Sequence, residues 1–388
     1  MRKQKELTEL IASTLLKNGF KTITHVPGFG GTQVFNELNR KTGNNFPLSL
    51  NEEAAFSISI GSAIQGKRSA TLIKTHGLTK MANALCSTLS IQSNAANLIF
   101  AFDDVEGKSS DNIFDSKRFI EGTEAPFVIL GKNPEQEIGK AIDLSESLRL
   151  PVVIHVDCRN LGKNFEYNGD RTPQKKTKFK KNPLDYLACP PLTRFQRDRF
   201  LNKTAGTTRK KKDPIAPEIS FPEMLPEKLK TTFLSYQNVF EALSSLSPDF
   251  VAGDAGTSAL YAFHEKKLVD ACTYMGGAPG MALGAYLAGA KNVWAVSGDF
   301  SFLAAGILGW NEVISRSAPI KLILFFNRKA DATGGQDLPA SVMENFIEGH
   351  RKMIRMVRAD ETIPKITRIL RAMNSSRKPE ICVVVFDR

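Results

Sequence analysis

With 388 residues, 42% of them hydrophobic, the chain is long enough for two or three domains with real cores. Its 24% charged residues are ordinary for a soluble protein, and no apolar run reaches membrane-spanning length. The net charge of +12 is concentrated in RTPQKKTKFKK (residues 171–181) and RKKK (209–212). Such runs suit an anionic partner or a solvated linker. Phe179 is the only aromatic of the first run, so a linker is favoured and nucleic acid is not expected as a partner. Cys86, Cys158, Cys189, Cys272 and Cys382 form no CxxC pair, which argues against a disulfide framework, a zinc ribbon or an iron–sulfur site.

The first twenty residues are charged and amphipathic, with Leu7, Leu10, Ile11, Leu15 and Leu16 on one helical face. They lack a signal peptide's apolar core and cleavage site, so a cytoplasmic protein is expected. Strand patterns follow at residues 22–26, 46–50, 70–75, 95–102, 126–130 and 151–156. Helix patterns at 32–41, 52–65, 76–89 and about 134–149 separate them, and the glycine-rich turn PGFGG follows the first strand. Residues 169–226 are basic and proline-dotted, with one helix near 192–202. The α/β pattern then resumes, with strands at 250–252, 293–297, 320–326 and 379–386 and helices at 276–290, 301–315 and 361–374. Alternation of this kind predicts an α/β protein of two domains, 1–168 and 227–388, each a parallel sheet flanked by helices, joined by a basic linker at 169–226.

Two places carry chemistry. Gly298-Asp299 follows the strand at 293–297, and Asn327 ends the strand at 320–326. Parallel sheets bind ligands at the carboxyl edge, and neighbouring strands lie about 4.8 Å apart. One carboxylate and one amide oxygen suit Mg²⁺, which completes its shell with water and phosphate oxygens. The helix start at Phe300 adds partial positive charge for phosphates. Helix capping by Asp299 is the plainer alternative. In the first domain, Glu52 follows the pattern at 46–50 and opens a helix of small residues. A carboxylate so packed can be tuned for proton work, or it can simply complement the helix dipole.

Together these residues resemble thiamine diphosphate-dependent enzymes, in particular the large subunit of indolepyruvate ferredoxin oxidoreductase. Glu52 matches that family's glutamate. Gly298, Asp299 and Asn327 match its Gly-Asp…Asn metal motif, with Phe300 where glycine is usual. Further matching segments are Asp254-Ala-Gly-Thr, GGAPGMALG (276–284), NRKADATGGQ (327–336) and DDVEGKSSDNIFDSKR (103–118). The likeness covers most of both α/β domains.

The resemblance implies thiamine diphosphate and Mg²⁺ as cofactors and a 2-oxo acid as substrate. Asp299, Asn327 and the Lys329 carbonyl would hold the metal, and Glu52 would bind the aminopyrimidine and promote loss of the thiazolium proton. Gly30, Asp254, Gly256, Thr257, Gly276, Gly298 and Phe300 would surround the cofactor. His76 is a candidate proton shuttle, against a purely structural role, and His25 is a weaker one. A homodimer or higher homo-oligomer is implied, because the glutamate and the metal motif meet across a dimer interface in this family. The look-alike's cysteine-ligated clusters have no counterpart here, nor does its cysteine pair in FPEMLPEKLKTTF (221–233). Non-oxidative decarboxylation of a 2-oxo acid, a lyase reaction extendable to carboligation, is therefore expected. The alternatives are the catalytic component of an oxidoreductase with a separate electron-carrier protein, and a degenerate homologue acting as a binding protein.

Overall fold

The computed structural model describes residues 3–174, 177–205 and 214–386. The basic run at 209–212 lies outside them, as do Lys175 and Lys176. The chain divides into two compact units, residues 1–179 with 200–210, and residues 180–199 with 211–388. The stretch expected as a linker is thus shared between them, and the helix Thr193–Thr204 passes from one to the other.

In the first unit five parallel strands lie in the order Thr22–His25, Ser69–Lys74, Asn97–Asp103, Pro151–Asp157, Phe127–Ile129. All seven residues of Asn97–Asp103 are buried, as a central strand covered on both faces requires. The helix Leu7–Lys17 buries Leu7, Leu10, Ile11 and Leu15 in this core. Asn51 caps the helix Glu52–Ile64 by accepting from the Ala54 N–H at 3.1 Å. Its small residues let it lie close on the sheet, where Thr24 Oγ1 donates to the Ala55 carbonyl at 3.1 Å and Ser59 bonds Thr71 at 2.8 Å.

Three expectations are corrected here. Residues 46–50 form no strand: Pro47 lacks an N–H, and the Ser49 N–H bonds the His25 carbonyl at 2.8 Å. That bond still delivers Glu52 to the carboxyl edge. The helix expected over 76–89 is two, Thr75–Lys80 and Ala82–Thr88, broken at Met81. The start of the basic stretch is strapped down rather than loose. Glu135 accepts the N–H groups of Asn168, Gly169 and Asp170 at 2.7, 2.8 and 2.8 Å. The buried Arg68 pairs with Glu146 at 2.7 Å and donates to the carbonyls of Thr172 and Pro173. An antiparallel pair, Lys3–Glu6 with Asn164–Tyr167, escaped sequence reading because KQKE shows no apolar alternation.

The second unit has six parallel strands in the order Ile354–Arg358, Glu380–Val385, Lys321–Phe326, Val293–Gly298, Phe250–Gly253, Ala271–Cys272. Tyr236, Phe240, Tyr261 and Phe325 stack in its core, with Tyr236 and Phe325 4.0 Å apart between centroids. Lys181, the last residue of the first basic run, lies 3.1 Å from the buried Asp270 carboxylate, so this lysine is an anchor. Among the described residues no helix is long and apolar enough to cross a membrane.

Candidate functional site

The strand Val293–Gly298 is apolar and buried up to its last residue. Its partner Lys321–Phe326 runs parallel in a register that sets Gly298 against Phe325. Asp299 and Asn327 therefore leave the same edge of the sheet from adjacent strands. Asp299 is 1% exposed and accepts two backbone N–H groups, Phe300 on Oδ1 and Arg328 on Oδ2, both at 2.7 Å. Burial pushes its carboxyl up to about 6, and the nearby Asp331 charge pushes the same way. Asn327 Oδ1 accepts from the Lys329 N–H at 3.1 Å, and Nδ2 donates to Asp331 Oδ2 at 2.6 Å. Arg328 sits between them in the left-handed region at φ 61, which turns the chain back on itself.

A cavity of about 430 Å³ opens at this edge, within the roughly 300–1,000 Å³ of small-molecule sites. Gly256, Thr257, Gly298, Asp299, Phe300, Asn327 and Lys329 all line it, together with Asp331. Phe300, where glycine was expected, is 42% exposed in its wall. Asp254 and Gly276 do not line this cavity. Asp254 is 1% exposed and accepts from the Ser297 hydroxyl and from the Ala278 N–H at 2.7 Å, so it braces the turn into the helix Ala278–Leu287. Burial pushes its carboxyl up to about 6. Gly276 lies at φ 94, and a Cβ there would overlap Ala305 and sit 2.7 Å from the Gly306 nitrogen. The helix expected over 301–315 is not one continuous α-helix. It is α at Asp299–Ser301, π-helical at Phe302–Gly306 and α again at Ile307–Ser315. Single π turns inside helices are frequent at functional sites.

At the carboxyl edge of the first unit, the Glu52 side chain lies over Gly77, where any Cβ would collide with it. Its Oε2 is buried with no hydrogen-bond partner, 3.5 Å from the Lys80 ammonium. His76, beside Gly77, bonds Asn112 through Nε2, while its Nδ1 is buried without a partner. Phe114 meets the His76 ring edge-on at 5.1 Å. Asn112 and Phe114 belong to the segment 103–118, which Asp103 fixes by accepting from Ser116 at 2.6 Å and His155 at 2.9 Å. The segment thus positions His76. His25 is fully used: Nδ1 bonds the Leu72 carbonyl and Nε2 bonds Thr32, each at 3.1 Å, and burial pushes its pKa down. Gly30 lies at φ 87 against the Phe102 ring, in the turn before the helix Gly31–Thr42.

Sequence reading missed Asp331. It was visible only as one letter in a motif, and nothing in loop spacing showed that it returns to Asn327. Among the described residues no three His, Cys, Asp or Glu side chains gather into a metal set. A cation here would instead be held by Asp299, the Asn327 amide and the Lys329 carbonyl, with phosphate and water oxygens. The residues present fit a metal diphosphate in the second unit, since a buried carboxylate held without a cation is pushed toward its neutral form. The Glu52 Oε2, which has the Lys80 ammonium at 3.5 Å but no hydrogen-bond donor, fits a donor such as a ring nitrogen.

Two parallel α/β units, one ending in a Gly-Asp…Asn edge, define a fold of the thiamine diphosphate-binding type. Residues 254–375 match the thiamine pyrophosphate enzyme C-terminal TPP-binding domain. The chain is similar to indolepyruvate oxidoreductase subunit IorA of Methanothermobacter marburgensis, 25% identical over 203 residues. It is also similar to the subunit of that name from Methanothermobacter thermautotrophicus, 24% identical over 204 residues. Each match spans 50% of this chain and 33% of the relative, so about a third of those relatives' length is represented. A solved chain assigned as a thiamin diphosphate-dependent enzyme from Mycobacterium smegmatis shares the fold at TM-score 0.64 and 14% identity, covering 99% of this chain and 100% of that one. The resemblance to thiamine diphosphate-dependent enzymes thus holds in motif, domain and fold.

Proposed function

We propose that this chain is a thiamine diphosphate- and Mg²⁺-dependent catalytic component acting on a 2-oxo acid, which passes electrons to a separate acceptor protein. The observation that carries the proposal is the joined edge of Asp299 and Asn327 beside the cavity, in the stretch matching the cofactor-binding domain. Bound thiamine diphosphate supplies a carbon that adds to a substrate carbonyl and a ring that accepts electrons when CO₂ leaves.

The chain's own residues orient the reactants and handle protons. Asp299, Asn327 and the Lys329 carbonyl would hold the metal and, through it, the diphosphate. Glu52 Oε2 would accept a hydrogen bond from a proton-bearing nitrogen of the pyrimidine and so govern where that ring keeps its proton. His76, with one nitrogen bonded to Asn112 and the other free of partners, can take or give a proton at Nδ1. The family's shared active site supports a homodimer or higher homo-oligomer.

Both Methanothermobacter relatives are oxidoreductase subunits, which supports the oxidative reaction over the plain decarboxylation suggested by cysteine content. An anaerobic assay with a panel of 2-oxo acids and a low-potential dye tests this. Dye reduction dependent on a 2-oxo acid supports the proposal. Release of CO₂ and aldehyde without reduction would replace it with a lyase. Failure to bind thiamine diphosphate would leave only a binding protein.

A further inference from the structure

We propose that Asp331 is a positioning residue that fixes the amide of Asn327 so that its oxygen, and not its nitrogen, faces the cation; this rests on the function proposed above. An asparagine amide has an accepting end and a donating end of nearly the same shape, and turning it over exchanges them. Only the oxygen end can ligate a hard cation. Two groups decide the matter at Asn327. The Lys329 N–H, which can only donate, bonds Oδ1 at 3.1 Å. The Asp331 carboxylate, which when ionised can only accept, takes the Nδ2 hydrogen at 2.6 Å. An inverted amide would set donor against donor at the Lys329 N–H and oxygen against oxygen at the Asp331 carboxylate.

The remaining geometry makes this arrangement rigid. Arg328 at φ 61 folds the Lys329 N–H back onto Asn327, and its own N–H is fixed on Asp299 Oδ2 at 2.7 Å. Asp331 is steadied by the Thr232 hydroxyl, 3.4 Å from its Oδ2, on the helix Glu227–Ser235. Asp331 and Asn327 both line the cavity of about 430 Å³ and another of about 840 Å³. The role of Asp331 is that of an outer partner to a metal ligand, and losing such a partner typically costs roughly 10–100-fold in metal affinity.

The test is a MgCl₂ titration of thiamine diphosphate binding, followed by calorimetry, on the full chain. Asp331→Ala removes the acceptor. Asp331→Asn keeps an oxygen that can accept from Nδ2 but loses the charge. The expected result is a rise of about 10–100-fold in the Mg²⁺ concentration for half-maximal binding in Asp331→Ala, largely restored in Asp331→Asn. The proposal is overturned if Asp331→Ala titrates like the wild type. It is equally overturned if Asp331→Asn loses as much as Asp331→Ala, which would assign the effect to charge. Asp331 precedes the exposed residues Ala332–Gly334 of a surface loop, so neither change removes core packing. Asn327→Ala separates the two levels of the argument. If it leaves Mg²⁺-dependent binding intact, the metal site itself is misplaced. If it abolishes binding while Asp331→Ala does not, only the role of Asp331 fails.

Discussion

The backbone N–H of Arg328 donates to Asp299 Oδ2 at 2.7 Å, so one buried carboxylate joins the ends of two neighbouring parallel strands. The same carboxylate has to be ionised to hold a cation, yet burial pushes its pKa up to about 6 in the metal-free chain. Mg²⁺ must therefore displace a proton at acid pH. Affinity should be nearly level above pH 7 and fall roughly tenfold per unit well below pH 6. Asp299→Asn should weaken Mg²⁺ by at least about 100-fold, beyond the usual effect of an outer partner. Calorimetric titrations between pH 5 and pH 8 check both statements, and a pH-independent affinity would contradict the first.

Asp270 gives the second prediction. Burial raises its pKa from 3.8 to about 6 despite Lys181. Between those values the folded chain binds more protons than the unfolded one, so stability falls as pH rises through that window. The contribution is fully present below 3.8 and lost above about 6. Asp270→Asn should flatten this part of the pH profile of the urea midpoint, measured without metal. A profile of unchanged slope would mean that Asp270 is not the group responsible.

Glu52 offers a buried oxygen without a hydrogen-bond partner. If that oxygen governs the pyrimidine proton, Glu52→Gln should lower turnover of any accepted 2-oxo acid by about 10²–10⁴-fold, the usual range for a general acid–base group. Thiamine diphosphate should still bind through the metal. Steady-state rates together with binding isotherms distinguish the two, and full activity in the variant would remove Glu52 from the mechanism.

Gly276 is required for close approach and for its backbone angle. At φ 94 and against Ala305 and Gly306, alanine is disfavoured by both conformation and overlap. Gly276→Ala should cost at least about 2 kcal/mol of stability. The reading is a lowered urea midpoint at unchanged slope. A midpoint equal to that of the wild type would show that the π-helical turn can move aside.

Much of the site was legible before the structure, for definite reasons. Strands such as Asn97–Asp103 and Val293–Gly298 are continuous apolar runs ending in a polar residue, so the sequence itself marks the carboxyl edge. Asp299 and Asn327 fall at such ends, whereas Glu52 opens a helix after residues 46–50, which form no strand. What escaped depends on contacts distant in sequence or on loop geometry. Asp254 and Gly276, grouped with the cofactor by motif, brace one turn against another part of the unit. Asp331 reaches Asn327 only because Arg328 adopts a left-handed backbone, which arginine does not announce. The π turn at Phe302–Gly306 lies beside Gly276, and helical periodicity does not register it.

The central claim is that the Asp299–Asn327 edge holds thiamine diphosphate through a divalent cation. Calorimetric titration of the full chain with thiamine diphosphate, with and without Mg²⁺ at neutral pH, tests it most directly. The account predicts saturable binding that requires Mg²⁺ and is lost in Asp299→Asn. Absence of binding under both conditions, or equal binding with and without the cation, would contradict it.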